Sequence, residues 1–226
     1  MTETSGTKRI AELEADNGRL RRLLDQRDAP GELRHRLHNT LAMLRVIIRK
    51  SAGTRRDLDA YVGHLEDRLD AVARAQVAAD ERGSVGLHDL FADELLHYGV
   101  KEGERVILSG PDVHLQPRAG QVLALAIHEL AVNAVEHGAS GTGHGRIEIA
   151  WSVASEEVDT PITITWKELG VTGVAAGSRQ GFGTEVLTRT IAYELKASTT
   201  LAFEADGLRC TLRFPLTERI GRVGTG

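Results

Sequence analysis

Cysteine is nearly missing from this chain. A single residue, Cys210, stands among 226. It has no partner for an internal disulfide, which excludes a disulfide scaffold and a cysteine-ligated zinc module and suits a reducing compartment. Aromatic residues reach only 4%, as 2 Trp, 3 Tyr and 4 Phe, so a core must be built from Leu, Val, Ile and Ala. No apolar run approaches the roughly 18 residues of a membrane span, so membrane insertion is not expected. No basic and apolar leader opens the chain, and the expected location is cytoplasmic. What is present, 41% hydrophobic and 27% charged residues, is the balance of a soluble globular protein. The length suffices for two compact units.

The net charge of −4 is unevenly spread. Residues 1–56 carry 13 Lys/Arg against 7 Asp/Glu, and residues 57–226 carry 15 against 25. A basic first quarter raises the question of nucleic acid, yet its arginines interleave with an apolar stripe and no aromatics, leaving nothing on which bases could stack. An acidic protein partner fits better than nucleic acid.

Ile10, Leu13, Asn17, Leu20 and Leu24 alternate at spacings of three and four, a short a/d heptad pattern with an asparagine at an a position. This predicts an N-terminal coiled-coil or signal helix over residues 1–28. After Ala29-Pro30-Gly31, two further stripes follow. Leu33, Leu37, Leu41, Leu44 and Ile48 form one, and Leu58, Val62, Leu65, Leu69 and Val72 the other, joined by a polar turn at Gly53–Asp57. These make an antiparallel helical hairpin over residues 29–82 whose stripes a second copy would cover as a four-helix bundle. From residue 83 the texture becomes mixed. Helices are expected at Leu87–Tyr98, Pro117–Gly138 and Gly183–Leu195, with strands near 105–109, 146–153, 162–166, 199–203 and 208–214. That is an α+β layer sandwich over residues 83–218. Residues 219–226 are expected to form a flexible tail.

Three groups of residues could carry chemistry. His35 lies nearly opposite the first leucine stripe on a helical count, with Glu32 and Asn39 beside it. A solvent-facing imidazole of near-neutral pKa can attack a phosphoryl group, and Glu32 could orient the ring or take its proton. An ordinary surface histidine would look the same. Glu129 and Asn133 stand four residues apart on one helix face, able to hold a hydrated Mg²⁺ and a polyphosphate, although an amphipathic helix alone explains their setting. Gly181-Phe182-Gly183-Thr184 immediately precedes a helix, where backbone N–H groups and the helix N-terminus can face phosphates. It is neither a P-loop nor a dinucleotide fingerprint.

In order and spacing these segments resemble the HWE subgroup of sensor histidine kinases, over about residues 31–216. Glu32-Leu33-Arg34-His35-Arg36-Leu37-His38-Asn39-Thr40-Leu41-Ala42 resembles the phosphoacceptor box, His128-Glu129-Leu130-Ala131 with Asn133 the N box, and Trp166-Lys167-Glu168 the Trp-x-Glu element. Gly181-Phe182-Gly183-Thr184 with Leu187 resembles the G2 box. The resemblance implies a helical dimerisation and phosphotransfer domain, a four-helix bundle as a homodimer, followed by a GHKL-type α/β sandwich that binds ATP. It implies that His35 accepts the γ-phosphoryl group and passes it to an aspartate of a response-regulator receiver. Asn133 would coordinate Mg²⁺ with support from Glu129, Glu168 would accept from the adenine amino group, and Gly170 would let the loop turn. Gly181, Gly183 and Thr184 would contact the phosphates. His38 stands where the family has lysine, and Gly170-Val171-Thr172-Gly173 replaces its usual Gly-Gly-Pro. Input would arrive through the N-terminal helix or from a separate sensor protein. Two other readings remain open at this point: a non-catalytic phosphotransfer or receiver-sequestering protein with a vestigial ATP site, and a GHKL-type kinase acting on a partner's serine.

Overall fold

In a computed structural model of the chain, the residues described are Leu41, Ile47, 58–141, 144–154, 160–171 and 182–224. The chain divides into compact units Met1–Val46 and Ile47–Gly226, and all of these residues except Leu41 belong to the second. Helix α1 (Leu58–Arg82) is followed by strand β1 (Val85–Gly86), helix α2 (Leu87–His97) and strands β2 (Val106–Ser109) and β3 (Val113–Leu115). Then come helix α3 (Pro117–Glu136), strands β4 (Arg146–Val153) and β5 (Pro161–Leu169), and helix α4 (Phe182–Glu185). A π-helical turn (Val186–Thr190), helix α5 (Ile191–Leu195) and strands β6 (Ser198–Glu204), β7 (Gly207–Pro215) and β8 (Gly221–Val223) complete it.

The main sheet has the order β2-β4-β5-β7-β6, with only β2 and β4 parallel. Its three central strands alternate along the stretches that pair with one another. Ile147, Ile149 and Trp151 of β4, Ile162, Ile164 and Trp166 of β5, and Cys210, Leu212 and Phe214 of β7 are buried while the residues between them are not. One face is thus apolar, as the period of a strand with one solvated side requires. Helix α3 starts with Pro117 at a first-turn position, where its missing N–H costs nothing. From Ala119 through Ala131 every residue of α3 is buried, far more than the single stripe of a surface helix. It packs against α2, the α4–α5 segment and α1.

The expected sandwich is therefore present, with differences that have physical reasons. On α1 the face that packs on α3 shares only Val72 with the predicted stripe. The buried residues are Arg68, Ala71, Val72, Ala75 and Ala79, a face about 85° around the helix from the stripe, and Val62 of the stripe is 41% exposed. Because α1 joins α3 in this way, the boundary between compact units falls at Val46/Ile47 rather than at the end of the helical hairpin. Leu41, expected in the first stripe, is 45% exposed, while Ile47 beside the stripe is fully buried. The expected flexible tail is in part a strand. Gly221–Val223 pairs antiparallel with β3, which also pairs with β1, giving a small second sheet. With strands of two and three residues, that sheet is too short to show a period. The last expected helix is interrupted by the π-helical turn.

Leu123 is wholly buried on α3. Leu123→Ala is expected to lower unfolding free energy by about 2–5 kcal/mol, read as a fall in the urea midpoint at unchanged m-value.

Candidate active site

Strand β5 brings one polar residue into the apolar layer. The alternation that buries Ile162, Ile164 and Trp166 places Glu168, two residues further, on the same face, where it is 3% exposed. Its carboxylate accepts the backbone N–H of Ala139 at 2.9 Å and the indole N–H of Trp166 at 3.2 Å. Gly138 and Gly207 leave the space it occupies. A Cβ on Gly138 would lie 1.9 Å from Glu168 Oε2, and one on Gly207 would lie 2.1 Å from the Glu168 carbonyl oxygen. Arg105 fixes the loop after α3 by donating to the carbonyls of Ala139 and Gly145 at 2.6 and 2.9 Å. Burial holds the Glu168 carboxyl above the usual carboxylate range, against the downward pull of its two N–H donors. Gly170, directly after β5, has φ +78° and turns the chain there as expected.

The middle of α3 carries a second polar cluster. Glu129 is 5% exposed, and both its oxygens accept from Arg68 of α1, at 2.7 Å from Nε and 3.3 Å from a terminal nitrogen. The same guanidinium lies 3.8 Å above the ring centroid of Phe182, a cation–π distance. Gly183 is packed against this group, since a Cβ there would stand 2.9 Å from Glu129 Oε2 and 3.4 Å from Asn133 Nδ2. Glu129, Asn133 and Gly183, assigned to one function from separate stretches of sequence, thus converge at one place. Thr184 is the second residue after Phe182 in α4, half-buried, with its carbonyl taken by the Thr188 hydroxyl at 2.7 Å.

One residue before Glu129, His128 faces a third cluster. Its Nδ1–H donates to Glu94 of α2 at 2.9 Å, and the Tyr98 hydroxyl oxygen sits 3.1 Å from the same nitrogen. Arg74 of α1 donates to the other oxygen of Glu94 at 2.5 Å. Burial would push Glu94 up, but the hydrogen bonds and charges of His128 and Arg74 outweigh it and hold the carboxyl below its ordinary value. Burial, with Glu94 close by, pushes the Tyr98 hydroxyl well above its own.

His35, Glu32, Asn39 and Gly181 lie outside the described residues, as does His38. Of the altered loop, Val171 is buried and donates its N–H to the Asp206 carbonyl at 3.0 Å, while Thr172 and Gly173 are outside. Sequence reasoning missed Arg68, Arg74, Glu94 and Tyr98. Their partners are 20 to 61 residues away, and no local pattern marks them. The donor set suits Mg²⁺, which takes one or two protein oxygens and completes its shell with phosphates and water. Glu129 and Asn133 provide that many. Among the described residues no group of three or more His, Cys, Asp or Glu could hold a metal by itself.

The HWE histidine kinase family model matches residues 32–112. Blue-light-activated histidine kinase 1 of Erythrobacter litoralis (strain HTCC2594) is 34% identical over 198 residues, covering 84% of this chain and 54% of that protein. Blue-light-activated histidine kinase of Rhizobium johnstonii is 30% identical over 210 residues, covering 92% and 56%. The chain thus spans about half the length of the curated relatives it matches. Among solved structures, the Erythrobacter litoralis EL346 blue-light activated histidine kinase superposes with a TM-score of 0.65 at 15% identity, covering 84% of this chain and 62% of that one. Its histidine kinase domain gives 0.54 at 16%, covering 80% and 85%. The fold is therefore that of a histidine kinase core, with a GHKL-type sandwich.

The raised Glu168 carboxyl has a consequence for stability. The folded protein holds this proton more tightly than the unfolded chain, so this group's contribution is present below the unfolded value and is lost as pH rises through the folded one. Lowering the pH from about 7 to about 5 is expected to stabilise the wild type relative to Glu168→Gln in paired urea titrations. Parallel shifts in both proteins would contradict the assignment.

Proposed function

Since the chain belongs to the HWE histidine kinase family, we propose that it is the core of an ATP-dependent protein-histidine kinase that phosphorylates its own His35 and passes the group to an aspartate of a response-regulator receiver. The observation that carries this is the convergence of Glu129, Asn133 and Gly183 in the C-terminal half of a buried helix, with the buried acceptor Glu168 against the loop that leaves the same end of it.

In this reading Glu168 accepts from the adenine amino group. Among the described residues its oxygens have one donor each, and a carboxylate oxygen can accept two. Gly138, directly against Oε2, carries no side chain that would crowd it. Gly181, Gly183 and Thr184 present backbone N–H groups to the phosphates at the start of α4. Asn133 and Glu129 would hold Mg²⁺, which when bound neutralises charge on the phosphate oxygens. His35 Nε2, as the neutral imidazole, attacks the γ-phosphorus in line. The N–P bond forms as the bond to the β,γ-bridging oxygen breaks, ADP carries away that electron pair, and Glu32 takes the Nδ1 proton. Asn39 lies beside His35 in the same box and orients it. His38 stands in for the family's lysine as a nearby donor, positively charged only below about pH 6.5 by its reference value. The receiver's aspartate then accepts the phosphoryl group from His35. We place the protein in the cytoplasm; no helix among the described residues is long and apolar enough to cross a membrane. The half-exposed Leu41 and Val62 support a homodimer through the helices of residues 10–80.

Incubation with γ-labelled ATP and Mg²⁺ is expected to give acid-labile, base-stable label on the protein. His35→Ala should remove it while leaving ATP affinity intact, and Asn133→Ala should abolish Mg²⁺-dependent ATP binding in calorimetry. Acid-stable label would point to a serine or threonine acceptor instead. For the assembly, light scattering of wild type should give a dimer mass that Leu37→Glu lowers; a concentration-independent monomer would refute the homodimer.

A further inference from the structure

The face of α1 that meets α3 is made in an unusual way. Its buried apolar residues are Ala71, Val72, Ala75 and Ala79, which remove little area from water compared with leucines. Polar pairs supply the rest. Arg68 meets Glu129, Arg74 meets Glu94 beside His128, Gln76 accepts from Gln121, and His64 lies 4.0 Å from Glu136. Small residues and polar pairs cost less to separate than an interlocked apolar seam, because each polar group finds water on leaving. The leucines of α1 lie elsewhere on the helix. This contact is built to part.

At its centre stands an incompatibility. The proposed metal face needs the carboxylate of Glu129, and Arg68 occupies both its oxygens in a bidentate pair whose side chains are 9% and 7% exposed. A divalent cation arriving at Asn133 would meet a carboxylate already neutralised and a guanidinium close to it in a poorly solvated space, where repulsion between cations is little screened. Arg68 is also held from its other side by the Phe182 ring, next to Gly183, so it cannot withdraw without disturbing the start of α4.

We propose that Arg68 is a positioning residue that withholds Glu129 from Mg²⁺, so that binding of Mg²⁺-nucleotide and packing of α1 on α3 compete for the same carboxylate. This rests on the nucleotide reading given above. Competition for one group is reciprocal. Whatever draws α1 off α3 raises the affinity for Mg²⁺-nucleotide, and Mg²⁺-nucleotide loosens α1. Helix α1 follows the His35 segment in the chain, so the occupancy of the site is reported to the helices that carry the acceptor histidine.

The test uses the full chain with ADP and Mg²⁺ as probes. Calorimetric ADP affinity is measured across a series of Mg²⁺ concentrations for wild type and Arg68→Met, which removes the guanidinium and keeps an apolar stem against Phe182. Arg68→Met is expected to reach half of the Mg²⁺ enhancement at about tenfold lower Mg²⁺, the scale of a charge-assisted bidentate pair. An unchanged or higher Mg²⁺ requirement in the variant overturns the proposal, while ADP binding itself upholds the nucleotide reading. Absence of ADP binding in both proteins overturns that reading and the proposal with it. Hydrogen exchange on the wild type needs no variant: amides of α1 are expected to lose protection on addition of ADP with Mg²⁺ and not with ADP alone. Equal protection of α1 in both conditions overturns the proposal.

Discussion

A carboxylate placed midway along a helix that is covered on every side must be neutralised where it stands, because water cannot reach it. Glu129 is in that position, and the charge that neutralises it comes from a different helix. Much else in the molecule follows from this pairing. It ties α1 to α3, draws the Phe182 ring over the guanidinium, and thereby fixes the start of α4 with Gly183 beside Asn133. Removing one member of such a buried pair strands the other, which is costly. The folded unit therefore includes a helix that, by its leucine pattern, belongs to a hairpin of its own.

Glu94 and Glu168 show how partner chemistry sets the direction in which a carboxyl is shifted when burial is the same. Glu94 accepts from Arg74 and His128 and sits below its ordinary value. Glu168 has only neutral N–H donors, and burial wins. The first arrangement makes a rigid strut between helices. The second leaves an acceptor near the end of the central strand, with Gly138 directly against its carboxylate. A buried strut and a recognition group are thus distinguished by what stands around them and not by depth.

How much of this was legible in the sequence depended on whether the signal was periodic. The strands around Ile147–Trp151 and Ile162–Trp166 declared themselves by alternation, and the same alternation carried Glu168 inward. Glu129 and Asn133, four apart on one helix, and the Gly183 loop were visible as local spacings, and the fold brought them together. Arg68 was not visible. It sits about 80° from the leucine stripe of its own helix, and its partner is 61 residues away, so nothing nearby distinguishes it from a solvated arginine. The stripe of α1 gave no sign of this contact for a related reason: periodicity identifies a face that wants cover, whereas alanines and paired charges can form a contact without announcing it. The strand at Gly221–Val223 escaped because three residues carry no period.

The π-helical turn at Val186–Thr190 acts as a phase adjuster. Phe182 and Ile191 are nine residues apart, so an uninterrupted α-helix would point them about 180° apart, to opposite sides. Both are buried. A π turn absorbs one extra residue, which reduces the effective separation to eight steps and the angle to about 80°. Gly183 is brought by the same correction to nearly the azimuth of Ile191, so that the segment anchored to α3 at its far end presents its glycine to Glu129 at the near one. A chain shortened by one residue here would close into a regular helix of the same phase and keep Gly183 on Glu129, whereas a regular helix of the present length would turn that glycine away from the carboxylate it now meets.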